Sequence, residues 1–246
     1  MNVRTQLKNT TKIGVAIAGL GFGESVHMPA LTSNNKADLL ALWHPNSEKL
    51  NESCKRNDLR GYTDWEGLLN DQSIDAIVLT TPPSPRFSLA KQALEAGKHL
   101  LLEKPIALNA YEGEELQRIA LEKNLSIAVN FEYRAVPLFM KLNRLINQNL
   151  IGDIWFIKFD WLMSSRANKS RPWNWYSNKD EGGGVIGALG THAFDIIHWL
   201  FGPINKVNCK LSTSIPYRLC PETNKQKKVT SEDICLAQME IKQIQN

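Results

Sequence analysis

A chain of 246 residues with 43% hydrophobic side chains is long enough to bury a real core, in one domain or two. Its 29 basic and 25 acidic residues leave a formal charge of +4, too thinly spread for a nucleic-acid surface. No apolar signal core precedes residue 12, no run approaches the about 18 apolar residues of a membrane span, and Cys54, Cys209, Cys220 and Cys235 show no metal-ligand spacing. The expectation is a cytoplasmic protein with reduced thiols, no metal and no membrane or nucleic-acid partner.

Apolar runs at 14–18, 37–43, 76–80, 99–102 and 126–129 read as strands. Between them, 25–31, 47–56, 65–70, 87–96 and 110–123 have helical spacing, with Gly97 as a stop signal and Asn109 as an N-cap. Strands alternating with helices imply an α/β fold with a doubly wound parallel sheet. At the first strand end, Gly19-Leu20-Gly21-Phe22-Gly23 forms a glycine-rich loop leading into a helix, the setting in which backbone N–H groups hold a pyrophosphate. The match is imperfect, because Glu24 occupies the third glycine position of the usual G-x-G-x-x-G pattern and Gly23 comes one place early. Taken alone, the loop fits an ordinary tight turn equally well.

The pattern changes near residue 130. A helix is expected at 136–147, a half-buried strand at 154–161, an apolar helix after Gly182-Gly183-Gly184 to about residue 200, and strands at 207–215 and 234–241. The resulting division is residues 1–130 and a second, α+β domain at 131–246. The cluster Lys225, Lys227 and Lys228 fits a solvated hairpin tip, since no aromatic residues are interleaved with it.

Several fragments fall in a recognisable order. The glycine loop is followed by His27-Met28-Pro29, Thr80-Thr81-Pro82-Pro83, and then Glu103-Lys104-Pro105 after a strand. Downstream come Gly182-Gly183-Gly184 and Gly190-Thr191-His192-Ala193-Phe194-Asp195. In these motifs, from about residue 12 to 240, the chain resembles the glucose–fructose oxidoreductase and inositol dehydrogenase (Gfo/Idh/MocA) family. The resemblance implies a Rossmann domain followed by a domain with a large, open, mostly antiparallel sheet. It also implies an NAD- or NADP-dependent oxidoreductase acting on a hydroxyl or carbonyl of a sugar, cyclitol or similar small molecule. Family members usually continue well beyond this chain's end and associate through the open sheet face, so the second domain is expected to be incomplete. A homo-oligomer is expected if that sheet is complete. The alternative is a nucleotide-binding protein without catalysis.

By that resemblance Lys104 stabilises charge on the reacting oxygen and His192 transfers the proton; read without it, Lys104 is a loop lysine and His192 a core histidine. Asp195, Trp161 and Trp175 are candidate substrate contacts. Trp161, Trp173, Trp175 and Tyr176, beside Arg166 and Arg171, equally fit a packing cluster or a subunit contact. Cofactor contacts are expected from Gly19, Gly21, Phe22 and Gly23, from Thr80, Thr81 and Pro82, and from Glu103, Lys104 and Asn130. The tip of the second strand, at His44, Ser47 and Lys49, lacks an acidic residue at its end, which leans to NADP over NAD, with Glu48 as the counterweight. Two positions depart from the family pattern: Ala188 where many active members carry Asp, and Arg86 where His is common.

Overall fold

The computed structural model describes residues 12–242. The chain forms two compact units: residues through Thr81 with Pro85–Val129, and Pro82–Ser84 with the residues from Asn130 onward.

In the first unit the elements alternate as the apolar runs require. They are β1 (Ile13–Ala18), a π-helical turn at Gly23–His27 continuing into α1 (Met28–Thr32), β2 (Ala37–Trp43), α2 (Ser47–Asn57), β3 (Arg60–Tyr62) and α3 (Trp65–Asn70). There follow β4 (Ala76–Leu79), α4 (Pro83–Glu95), β5 (His99–Glu103), α5 (Ala110–Glu122) and β6 (Ile127–Asn130). The strands lie in the order β3-β2-β1-β4-β5-β6, and β1 pairs in parallel with both β2 and β4. Successive residues of a strand point to opposite faces. Ala16, Ala18, Ile77 and Leu79 therefore enter one core cluster, while Val15, Ile17 and Val78 enter another on the other side. Burial on both faces explains why these strands are continuous apolar runs rather than alternating ones.

Local signals place the helix ends. Asn109 Oδ1 accepts the Glu112 N–H at 3.0 Å, and Gly97 takes φ +81, a conformation open to glycine at little cost. Strand β3 was not expected: three residues, Arg-Gly-Tyr, are too short and too polar for a periodic signal.

The second unit contains α6 (Pro137–Asn147), α7 (Ser164–Ala167), α8 (Thr191–Phe201), β7 (Ile204–Ser212), β8 (Tyr217–Cys220), β9 (Lys225–Lys228) and β10 (Ile234–Ile241). β7 pairs antiparallel with β10, and β8 with β9, so the lysine cluster lies on a hairpin arm rather than at its tip.

Two expectations need correction. Residues 154–161 form no strand: nothing among the described residues pairs with them, and Trp155 and Phe156 are 92% and 69% exposed. Alternation marks a surface that could be half buried, but a strand needs a hydrogen-bonding neighbour. Lys179–Phe201 does reach the length and apolar character of a membrane span. That segment is nevertheless broken by a turn with Gly182 and Gly184 at φ +78 and +99, and its α8 portion buries Ile196, Ile197 and Leu200.

Candidate functional site

The order β3-β2-β1-β4-β5-β6 reverses direction between β1 and β4, and open α/β sheets bind ligands beyond the strand ends at such a point. Gly19, with φ +104, turns the chain out of β1; a Cβ here would lie 2.7 Å from Thr80 Oγ1. The Thr80 hydroxyl ties this turn down by donating to Gly19 O at 2.8 Å. At Gly23 a Cβ would meet Ile17 Cγ2 at 2.6 Å, so this residue, one place early, performs the helix-to-strand packing of the usual third glycine. Glu24 is thereby released to accept Ser53 Oγ–H (2.9 Å) and Arg56 Nη2–H (2.6 Å) from α2.

Gly21 differs from both neighbours. A Cβ there would meet nothing within 4 Å, so no protein atom requires a glycine. A bare backbone facing open space is what close approach of a pyrophosphate demands. At the end of β4, Thr81 Oγ1 is buried with no hydrogen-bond partner among the described residues, a polar atom suited to a ligand. These two features fit a dinucleotide. Phe22 stands 42% exposed, edge-on to His27.

At the tip of β2, Asn46 caps α2 by accepting the Lys49 N–H at 2.9 Å, and the Asn46 N–H donates to His44 Nδ1 at 3.0 Å. Ser47, Glu48 and Lys49 are exposed on the first turn of α2.

Lys104 follows β5, and its bond to Pro105 is cis. Its backbone is held by Arg86, a residue only 2% exposed. Arg86 Nη1 donates to Glu103 O at 2.5 Å and to Pro105 O, while Nη2 donates to Thr81 O. A guanidinium can fork across three carbonyls in this way, and an imidazole cannot. Glu103 is turned inward, its Oε1 2.8 Å from Nε2 of buried His27.

The second unit assembles a separate cluster around His192, which is 3% exposed. Its ring is edge-on to Tyr133 (4.8 Å between centroids) and Phe131 (5.9 Å), with Trp161 tilted at 6.1 Å. Nε2 lies 3.6 Å from Glu132 Oε1. Ala188, one turn before His192, is buried and supplies no carboxylate; Glu132 brings one from the chain just after β6. Asn130 ends β6, two residues before it. Asp195 accepts both Nε–H (2.8 Å) and Nη2–H (2.5 Å) of Arg134, which raises the arginine's pKa through that hydrogen bond. Trp175 stacks on Tyr176 at 3.8 Å in the turn before the glycine run.

The structure thus brings Trp161 to His192 and pairs Asp195 with a neighbouring cation. Gly19, Gly23, Thr80 and Thr81 gather at one sheet edge. Sequence reasoning missed Glu132, Tyr133 and Arg134, and left open what Arg86 and His27 do. Only the position of Glu132 just beyond a strand end could have singled one of them out.

Comparison with known proteins agrees with this geometry. Residues 13–131 match the model of the Gfo/Idh/MocA oxidoreductase family, NAD-binding Rossmann fold, and residues 139–244 match the Gfo/Idh/MocA C-terminal domain. An uncharacterized oxidoreductase of Synechocystis is 40% identical over 232 residues, which cover 94% of this chain and 62% of that protein. Levoglucosan dehydrogenase of Pseudarthrobacter phenanthrenivorans is 31% identical over 175 residues, 70% of this chain and 45% of that one. A solved levoglucosan dehydrogenase in complex with NADH and L-sorbose superposes with a TM-score of 0.82 at 25% identity, covering 94% of this chain and 64% of the other. The chain therefore spans less than two thirds of the length of each of these relatives. Both domain models of one family match in the order their folds occupy here, and the chain belongs to the Gfo/Idh/MocA oxidoreductase family.

Proposed function

We propose that the protein is an NAD(P)-dependent oxidoreductase that interconverts a hydroxyl and a carbonyl of a sugar, cyclitol or similar small polar molecule. The observation that carries this reading is the bare Gly21 backbone at the reversal of strand order, a position glycine holds for no reason internal to the protein. The nicotinamide would accept or donate the hydride. Gly19, Gly21, Phe22 and Gly23 would border its pyrophosphate, with Thr80, Thr81 and Pro82 along the nicotinamide ribose, and Glu103 and Asn130 completing the walls. Lys104 would stabilise negative charge on the reacting oxygen, and His192 would move the hydroxyl proton, supported by the Glu132 carboxylate at 3.6 Å. Trp161, beside His192, would offer an aromatic face to the substrate, and Asp195 and Trp175 are weaker candidates given the partners they already hold.

The preferred cofactor in this reading is NADP(H). The β2 tip carries His44, Ser47 and Lys49 near a helix N-terminus, and no acidic side chain ends the strand to repel a 2′-phosphate. Dissociation constants for NADPH and NADH decide this; a preference for NADH that persists in Ser47→Ala and Lys49→Ala refutes it. The four cysteines are free, in keeping with a cytoplasmic location.

The test of activity is hydride transfer by the purified protein across a panel of sugars, polyols and keto compounds. Turnover retained in both Lys104→Ala and His192→Ala overturns the assignment. A second reading, nucleotide binding without catalysis, rests on Ala188 standing where a carboxylate is common. It expects tight cofactor binding, no turnover on any substrate, and strong gain of activity in Ala188→Asp only if a degraded enzyme lies behind it.

A further inference from the structure

Outside the residues above, the second unit holds a small solvent-open cleft lined by Arg166, Arg171, Tyr176, Arg218, Glu232 and Asp233 among others. Three guanidinium groups share it, and each is placed differently. Arg218, on the inward face of β8 and 9% exposed, donates to the carbonyls of Asn168 (2.8 Å), Arg171 (3.3 Å) and Arg166 (3.3 Å). It fixes the backbone that carries the other two. Arg166 lies over the Tyr176 ring, 4.6 Å from its centroid, an arrangement that holds its planar fork in one orientation. The Arg171 side chain makes no hydrogen bond or ion pair among the described residues. Burial, with Arg166 and Arg218 close by, pushes its pKa below the usual value.

The two acidic residues at the cleft are engaged by other donors. Glu232 Oε1 accepts the Ile186 N–H at 2.9 Å and packs against Gly184, where a Cβ would lie 2.3 Å away. Asp233 accepts the Ser214 N–H (2.7 Å) and Oγ–H (2.9 Å) and the Ile215 N–H (3.0 Å). Among the described residues neither carboxylate forms an ion pair with any of the three arginines. Like charges held together, half out of water and with no carboxylate paired to them, are stabilised when an anion joins them.

We propose that this cleft is an oxyanion site, in which the forks of Arg166 and Arg171 bind a phosphate group and Arg218 braces the loop that presents them. Inorganic phosphate and the monoester of a phosphorylated small molecule both present the same tetrahedral dianion to bidentate donors. The site is built within the second unit alone and does not depend on the cofactor reading.

The experiment is calorimetric titration of the full 246-residue chain with inorganic phosphate, with hexose 6-phosphate, and with the unphosphorylated hexose, at matched ionic strength. Saturable binding of one or both phosphates is expected. The double variant Arg166→Gln/Arg171→Gln should weaken it by about tenfold or more. Neither side chain holds backbone, so an unchanged far-UV spectrum is expected, and Arg171→Lys should fall between the two. Gly21→Asp, which puts a carboxylate into the glycine loop, should leave this binding intact. Tighter binding of hexose 6-phosphate than of phosphate identifies a phosphorylated small molecule as the ligand; equal affinities identify the free anion. The proposal is overturned if neither phosphate binds saturably, if the double variant binds as well as the parent, or if Gly21→Asp alone abolishes binding.

Discussion

Arg86 and Glu132 show how single residues set the candidate chemistry from outside any motif. Arg86 satisfies three carbonyls, on both sides of Lys104 and at the end of β4, from a position 2% exposed. Arg86→Leu strips those acceptors of their donor in a place water does not reach, and should cost about 3 kcal/mol or more of stability, read from urea melts. Arg86→Lys keeps the charge without the fork and should recover only part of it. An Arg86→Leu protein as stable as the parent would show that the carbonyls find other donors. Glu132 is tested by kinetics instead. If its carboxylate supports His192 during proton transfer, Glu132→Gln should lower kcat about tenfold while leaving the dissociation constant of the reduced cofactor unchanged. An unchanged kcat removes Glu132 from the mechanism.

Among elements, the polar seam below β1 is where pH acts. Asp71, at the C-terminal end of α3, accepts the Tyr62 hydroxyl (2.8 Å), the Ser73 N–H and Oγ–H (2.9 and 2.6 Å), and pairs with Arg60 (2.6 Å). Burial opposes its charge, but the bonds from Ser73 and Tyr62 and the Arg60 charge prevail and hold its pKa at about 2, below the ordinary 3.8. Buried Lys98 closes the seam by donating to the carbonyls of Asp71 and Ile74. A depressed carboxylate contributes stability that is complete above pH 4 and lost as pH falls through about 2. Each tenfold change in proton affinity is worth ~1.4 kcal/mol, so that contribution is about 2 to 3 kcal/mol. Asp71→Asn should lose it at neutral pH and show a flatter stability profile between pH 4 and 2 in denaturant melts. A parallel profile for parent and variant would refute the assignment.

This seam also shows what a sequence conceals. Strands β1, β2, β4, β5 and β6 were legible because each is an apolar run closed by a turn signal, and Asn109 and Gly97 carry their meaning locally. Strand β3 was not, since its role comes from Arg60 and Tyr62 reaching Asp71, which no periodicity encodes. The arm Lys225–Lys228 hides in the same way: four polar residues pair with β8 because of the turn between them, not because of an apolar face. At the site, the glycine loop and Lys104 were readable from spacing and resemblance. Arg134 with Asp195, and Glu132 with His192, lie about sixty residues apart and meet only in the fold.

For the whole molecule, the two units differ in how completely they cover their own apolar surface. The first closes a core on each face of its sheet, with Ile17, Leu42, Ile77, Leu79 and Leu102 fully buried. The second leaves Ile154, Trp155, Phe156 and Leu162 exposed on a segment with no strand partner among the described residues. Apolar patches of that kind drive association in water. The 246-residue chain should therefore elute as a broad or associated species and brighten an apolar dye such as anilinonaphthalene sulfonate, and Trp155→Lys/Leu162→Lys should reduce both effects. A fragment of residues 12–130 should be monodisperse, unfold in one cooperative transition and bind reduced dinucleotide as tightly as the full chain, because the glycine loop, Thr81, Arg86 and Lys104 all lie within it. Calorimetric melts and fluorescence titration of the fragment check this directly. A monodisperse, dye-dark full-length chain would show that the segment 154–162 is covered in solution, and a fragment that melts without cooperativity would show that the first unit depends on the second.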